Sequence, residues 1–414
     1  MAHSIDRRLF LQSGLLTIGG SLLATRSPFA GVPPKGPSHR AIPGRPARRL
    51  VVLQLHGGND GLNTVVPYSQ SRYRSLRPTL AVPESSLLPL DDDLAFNPAL
   101  APLMPWWEAG RLAVVENVGY PNPDLSHFRS VAIWYTANPE VPAGDGWLGG
   151  WMEDTVSPSP LALTTVGTVP SPATAADGFV PAAVADPDSF GFDLVNRVPQ
   201  DTALREALIH EGFAAWAGGA GPGAEVAATG LAIESIVADV DSMPSEEAPP
   251  VTYPEGPLGA DLATAARFLA ADLPVRVVWV NTGGFDTHAE EAATHTALWE
   301  NVSACLAAFM EDLGTRGLGS STAVLVWTEF GRRPAENASL GTDHGTAGPA
   351  FLLGEPVKGG LYGAPPDLDR LDANGNLIFD IDFRSIYETV LADLLEVDPR
   401  LVLPEPFENL GLFT

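Results

Sequence analysis

The sequence predicts an α/β fold in which buried, mostly parallel strands alternate with helices. Three observations point to it. Short, nearly continuous apolar runs, such as residues 50–55, have the pattern of strands buried on both faces. They alternate with longer segments of helical spacing. Glycine-rich polar phrases follow the runs directly, as expected where functional loops leave the carboxyl ends of parallel strands.

Taken in order, residues 50–55 read as the first strand, opening into His56-Gly57-Gly58-Asn59-Asp60-Gly61. Residues 98–110 read as a helix, 111–118 as a second strand and 125–137 as a helix. From about 145 to 260 proline, alanine and glycine accumulate, with helices at 202–216 and 225–241 and a loop at 245–256. This stretch reads as an inserted, helical and irregular lobe. Alternation resumes with a helix near 258–272, a strand at 275–280, a long helix at 288–315 and a strand at 322–327. Residues 349–353 add another strand, and 382–396 have the apolar spacing of a closing helix. The expectation is one domain over 49–414 carrying the insert, without internal repeats.

Composition bounds the function. With 45% hydrophobic and 18% charged residues, the 414-residue chain can bury a sizeable core and is neither a disordered tail nor a membrane bundle. Fifty acidic residues against 24 basic ones give a formal charge of -26, which repels phosphate backbones and excludes nucleic acid as a partner. The single cysteine, Cys305, excludes an intramolecular disulfide and a multi-cysteine metal site. There is no Walker phosphate loop and no dinucleotide fingerprint. Trp106, Trp107, Trp134, Trp147, Trp151 and Trp299 read as packing residues, and His210 as surface or packing.

The first 30 residues read as an address. Asp6-Arg7-Arg8-Leu9-Phe10-Leu11 resembles the twin-arginine export signal, and the apolar run from 13 to 24, broken by Gly14, Gly19 and Gly20, is too short for a stable membrane span. Residues 31–48, rich in proline, glycine and arginine, read as a flexible leader. The expectation is export by the twin-arginine machinery to the periplasm or beyond, with no stable transmembrane anchor.

Four clusters carry chemistry. In His56-Gly57-Gly58-Asn59-Asp60, glycines let the backbone turn and present Asp60 at the sheet edge. In Ser126-His127-Phe128-Arg129, a helix beginning near Ser126 would place its hydroxyl at an electropositive N-terminus, with Arg129 one turn on; Ser126 or Asp124 as a simple cap is the plainer alternative. In Gly283-Gly284-Phe285-Asp286-Thr287-His288, residues two apart project to one side of extended backbone, so Asp286 and His288 can reach one cation. His295 lies about 10 Å of helical rise beyond and could line the site, but not share the ion. The fourth cluster joins Thr328-Glu329-Phe330-Gly331-Arg332-Arg333 to Thr342-Asp343-His344, adding the carboxylates Glu329 and Asp343, the His344 imidazole and two guanidinium groups. His127 could be a proton shuttle beside Ser126, or a structural hydrogen-bonder.

Together these phrases resemble family 1501 of bacterial domains of unknown function, through the export signal, residues 55–64, 126–129, 283–288, 328–332 and 343–345. That family is similar in fold to the alkaline phosphatase superfamily. The resemblance implies a doubly wound, mostly parallel sheet sandwiched by helices, with a two-metal site at its carboxyl edge in which Asp286, His288 and His344 hold one ion and Asp60 and Glu329 the other, with Asp343 a further carboxylate nearby. It implies zinc, with magnesium, manganese or calcium as alternatives, and one ion or two. Glu329-Phe330 replaces the aspartate-histidine pair usual in the superfamily, which removes an imidazole ligand. The function expected is hydrolysis of a small anionic phosphate or sulfate ester, with Ser126 as nucleophile and Arg129 or Arg332 holding the non-bridging oxygens. A serine esterase is the lesser alternative, since His56-Gly57-Gly58 is like an oxyanion loop although no Gly-x-Ser-x-Gly elbow exists. A non-catalytic binding or assembly protein on the same scaffold is the other.

Overall fold

Every residue of strand β1 (Arg49–Leu55) after Arg49 is buried, and successive residues face opposite apolar layers: Val51, Leu53 and Leu55 one, Leu50 and Val52 the other. Burial of each valine or leucine contributes about 1.5–3 kcal/mol, against roughly 1–2 kcal/mol of backbone entropy per residue. The strand therefore forms only between two covering layers. A computed structural model describes residues 47–153, 159–177, 179, 181–190, 199–246 and 248–414. The export signal and all but the end of the leader lie outside the described residues.

The further strands are β2 (Val65–Val66), β3 (Leu88–Pro89), β4 (Ala95–Phe96), β5 (Leu112–Gly119), β6 (Leu163–Val166), β7 (Ala182–Val184) and β8 (Val277–Thr282). After them come β9 (Thr322–Thr328), β10 (Arg332–Glu336), β11 (Thr342–His344), β12 (Gly348–Leu353), β13 (Gly360–Tyr362) and β14 (Ile381–Asp382). The main sheet runs in the order β13-β5-β12-β9-β1-β8-β6-β7, with β14 also on β5. All pairings are parallel except those of β12, which is antiparallel to both β5 and β9. The result is a mostly parallel, mixed sheet with flanking helices. Helices Pro257–Ala270 and Glu291–Thr315 contribute to one apolar layer; His127–Thr136 and Phe383–Thr389 contribute to the other. In the second layer Trp134 stacks on Trp327 at 4.5 Å and Trp147 on Tyr387 at 3.8 Å, so these tryptophans are packing residues. Cys305 is buried in the first layer.

Three expectations change in detail. Residues 98–110 are not one α-helix: Pro98–Leu103 is a 3-10 helix followed by a short α-helix, Met104–Glu108, because Pro98, Pro102 and Pro105 lack amide donors. The closing helix is α-helical only over Phe383–Thr389 and continues as a π turn over Val390–Leu394. The stretch read as an insert supplies β6 and β7 to the main sheet beside β8; its strands, four and three residues long, are too short to stand out from loop by periodicity. Helices Pro199–Ala217 and Pro222–Asp241 of that stretch pack on each other. Among the described residues no helix is long and apolar enough to cross a membrane.

Candidate metal centre

Strand direction gathers the polar phrases. Leu55 at the end of β1 lies opposite Thr282 of β8 and Thr328 of β9, so the loops beginning at His56, Gly283 and Glu329 leave from one edge. β5, running the same way, ends at Gly119 and leads to the helix His127–Thr136. β12 runs the opposite way and begins at that same edge, Gly348 facing Val118, so the residues before it bring His344 there too. The first loop can approach this closely only through glycine. A Cβ on Gly57, at φ +120°, would stand 2.4 Å from the Asp286 amide nitrogen, and one on Gly58 2.5 Å from the Phe330 ring.

Three donors converge: the carboxylate of Asp286 and the imidazoles of His127 and His344 each offer an atom, all within 4.8 Å of one another. Asp286 Oδ1 is 3.1 Å from His344 Nε2 and 3.5 Å from His127 Nε2. Tetrahedral ligands at zinc bond lengths stand about 3.3 Å apart. Both imidazoles are oriented from behind. His127 Nδ1 donates to Glu329 Oε1 at 2.7 Å and His344 Nδ1 to the Leu125 carbonyl at 2.8 Å, an assignment fixed by their acceptors, which leaves each Nε2 as a lone pair facing Asp286. His127 Nε2 is buried and has no hydrogen-bond partner, the feature expected of a ligand atom. The ring of Phe330, 4% exposed, packs against both imidazoles with centroids at 4.8 and 4.7 Å. The residues therefore fit a divalent ion.

Asp286 is held by Arg332, whose Nη2 donates to Oδ1 at 2.7 Å. Burial opposes its ionisation, but the Arg332 guanidinium outweighs it and holds the carboxyl down to about 2. The hydrogen bond from His127 to Glu329 raises the imidazole; Glu329, although buried, is lowered by that bond and by the Gly57 amide. His288 flanks the group, its Nε2 3.0 Å from Asp286 Oδ1 and 2.9 Å from His344 Nε2.

The other sequence candidates take different places. Asp60 is not brought to the group: it is fully buried and gripped by both terminal nitrogens of Arg77, so a guanidinium stands where a second ion was expected. Glu329 supports His127 and accepts the Gly57 N–H at 2.9 Å. Asp343 Oδ1 accepts from Asn337 Nδ2 at 3.2 Å and is 3.5 Å from His288 Nδ1, outside the three-residue group. Arg332 does not offer free donors to a substrate: besides Asp286 it donates to the carbonyls of Gly57, Gly58, Phe285 and Thr342. Arg129 turns outward to Asp124 Oδ2 at 3.4 Å and the Glu140 carbonyl at 3.3 Å. Ser126 is the exposed N-cap of the helix at His127, and its hydroxyl makes no capping bond. His295 is buried beneath the site against Asn59 and Thr64. His210 is a surface residue paired with Glu234 at 2.7 Å.

Arg77 and Glu291, which cradle Asp60 from beneath, carry no signal in the sequence. Arg77 follows a six-residue helix, Ser71–Leu76, that belongs to no motif. His127 was legible as a reactive residue, but its role beside Asp286 depends on where β5 delivers it.

The chain is similar to solved structures at low identity. The C-terminal periplasmic domain of EcEptC from Escherichia coli, in complex with zinc, is 11% identical with a TM-score of 0.35, covering 75% of this chain and 74% of that one. A sulfatase from Pseudoalteromonas sp. is 10% identical, TM-score 0.36, over 89% and 74%. An alkaline phosphatase from an Antarctic bacterium is 10% identical, TM-score 0.31, over 76% and 95%. No curated protein matches the chain. The family model described as protein of unknown function DUF1501 matches residues 222–403, the part that holds Asp286, His288, Glu329 and His344. Over that segment the chain is similar to the DUF1501 family.

Proposed function

We propose that the protein is an exported, metal-dependent hydrolase of phosphate or sulfate esters, with one divalent ion held by His127, Asp286 and His344. The observation that carries this reading is the approach of those three donors to within 4.8 Å, with both imidazoles already oriented through Nδ1. Two imidazoles and a carboxylate suit zinc better than magnesium, manganese or calcium, which favour all-oxygen sets, and three protein ligands leave a position open. One ion is proposed rather than two because Arg77 engages Asp60 and His127 engages Glu329. A divalent ion here supplies Lewis acidity toward an ester oxygen and lowers the pKa of a nearby hydroxyl or water.

The chain's own residues do the rest. Arg332 fixes the Asp286 carboxylate, the Leu125 carbonyl and Glu329 set the planes of the two imidazoles, and Phe330 packs against both rings. Ser126, one residue before His127 and uncommitted to its helix, is the proposed nucleophile. Export through the twin-arginine route, with the ion acquired before transit, belongs to the same proposal.

Metal titration of chelator-treated protein, with turnover of p-nitrophenyl phosphate, bis-p-nitrophenyl phosphate and p-nitrophenyl sulfate, tests the reading. The expected result is one equivalent of zinc and turnover of at least one ester, lost in His344→Ala. Turnover that persists in the presence of chelator overturns the metal; stoichiometric metal without turnover of any ester favours a binding protein on the same scaffold. That alternative draws on the arginines standing beside Asp60 and Asp286.

A further inference from the structure

A cavity of about 650 Å³ opens beside the three donors, with His127, Asp286 and Glu329 at one end. Its long wall is one face of the helix His127–Thr136: Phe128, Val131, Ala132 and Tyr135 recur at the spacing that aligns side chains along a helix. The opposite face of that helix, Ser130, Ile133 and Trp134, is buried. Pro142, Ala143 and Pro172 line the cavity further along. Phe128 is 92% exposed, although it directly follows a candidate ligand.

The charges at the polar end are unusual for an anion site. Among the described lining residues there is no lysine or arginine, and the acids that line it are Asp286 and Glu329. Each side-chain nitrogen of Arg332 already donates to a protein oxygen, and Arg129 is turned to Asp124 and Glu140. One divalent ion together with the Arg332 guanidinium beside Asp286 offsets the carboxylates of Asp286 and Glu329 and leaves a single positive charge over. A monoanionic ester matches that charge, whereas a dianion brings one negative charge more than the site can offset.

We propose that this cavity takes the organic group of an ester that is apolar and carries at most one negative charge, such as a phosphodiester or a sulfate monoester with an aryl or medium-length alkyl group, in preference to a phosphate monoester dianion. The inference rests on the hydrolase reading for its chemistry, but the cavity's preference is measurable by binding alone. A volume of about 650 Å³ is ample for an aryl or eight-carbon group, within the range of small-molecule sites.

The test has two arms on the zinc-loaded full-length protein. In the binding arm, calorimetry compares 1-octanesulfonate, methanesulfonate and, at pH 9, octylphosphonate. The octyl monoanion is expected to bind at least about tenfold more tightly than either the methyl monoanion or the octyl dianion, and Val131→Asp to remove the advantage of the octyl chain. In the turnover arm, kcat/KM is compared for p-nitrophenyl phosphate and its methyl and octyl diesters, with the octyl diester expected to lead. If turnover is seen but monoester and diester are handled alike with no chain-length effect, the inference falls while the hydrolase reading stands. If no ester is turned over but octanesulfonate still binds preferentially in a Val131-dependent manner, the cavity assignment stands and the hydrolase reading falls. Equal binding of the three probes overturns the inference in either case.

Discussion

Replacing Glu329 by glutamine separates a ligand from a supporting group. Glu329 is 1% exposed, and its Oε1 accepts both the Gly57 N–H at 2.9 Å and the His127 Nδ1–H at 2.7 Å, while Oε2 accepts from the Thr328 hydroxyl at 3.1 Å. A glutamine keeps the shape: its carbonyl oxygen can accept both N–H groups, and its amide nitrogen faces the rotatable Thr328 hydroxyl. Only the charge is lost, and with it the basicity lent to His127 Nε2. Charge-assisted hydrogen bonds contribute about 1.5–3 kcal/mol, and loss of such partners behind metal ligands weakens metal binding by about 10–100-fold. Zinc affinity of Glu329→Gln, measured by competition with a chromophoric chelator, is therefore expected to fall by about that factor with stoichiometry unchanged. An affinity equal to the parent's would refute the supporting role of Glu329. So would a loss as complete as that of His344→Ala, which would make Glu329 a ligand in its own right.

Three further outcomes are expected. Asp286→Ala and His344→Ala should each emerge from dialysis without bound zinc by elemental analysis; full metal content in both removes the assigned site. Arg77→Met leaves the Asp60 carboxylate buried and unpaired and should lower unfolding free energy by about 3–5 kcal/mol in denaturant titrations, most of which Asp60→Asn should restore in the double variant. A single variant within about 1 kcal/mol of the parent would show that the pair is not what holds the loop. The third concerns acid. Burial pushes the His295 imidazole down to about 4, below its unfolded value near 6.5, so between those pH values the unfolded chain binds a proton that the folded chain does not. Stability is then fully present above about pH 6.5 and falls as pH drops toward 4, by up to about 3 kcal/mol. A denaturant-midpoint profile whose acid slope is the same in His295→Gln as in the parent would contradict this.

The alternation of apolar runs and helical segments placed β1, β5, β8, β9 and β12 to within a few residues, because strands buried on both faces leave an unmistakable apolar signature. It missed β6 and β7, where three or four residues borrow their strand character from a neighbour, β6 from β8 and β7 from β6. Phe128, Val131, Ala132 and Tyr135 share one helix face by their spacing, but only the tertiary structure shows that they line the cavity while the neighbouring Ile133 and Trp134 make the core.

The chemistry of the candidate site was legible because carboxylates and imidazoles bunch immediately after strands, and parallel strands put all their carboxyl ends on one edge. What each group does was decided only in three dimensions. Asp60, Asp286 and Glu329 look alike in one dimension, but Arg77 seals the first, Arg332 aims the second and His127 engages the third. A charged group's role is set by the partner that meets it after burial, and those partners lie 17, 46 and 202 residues away along the chain, beyond the reach of any local pattern.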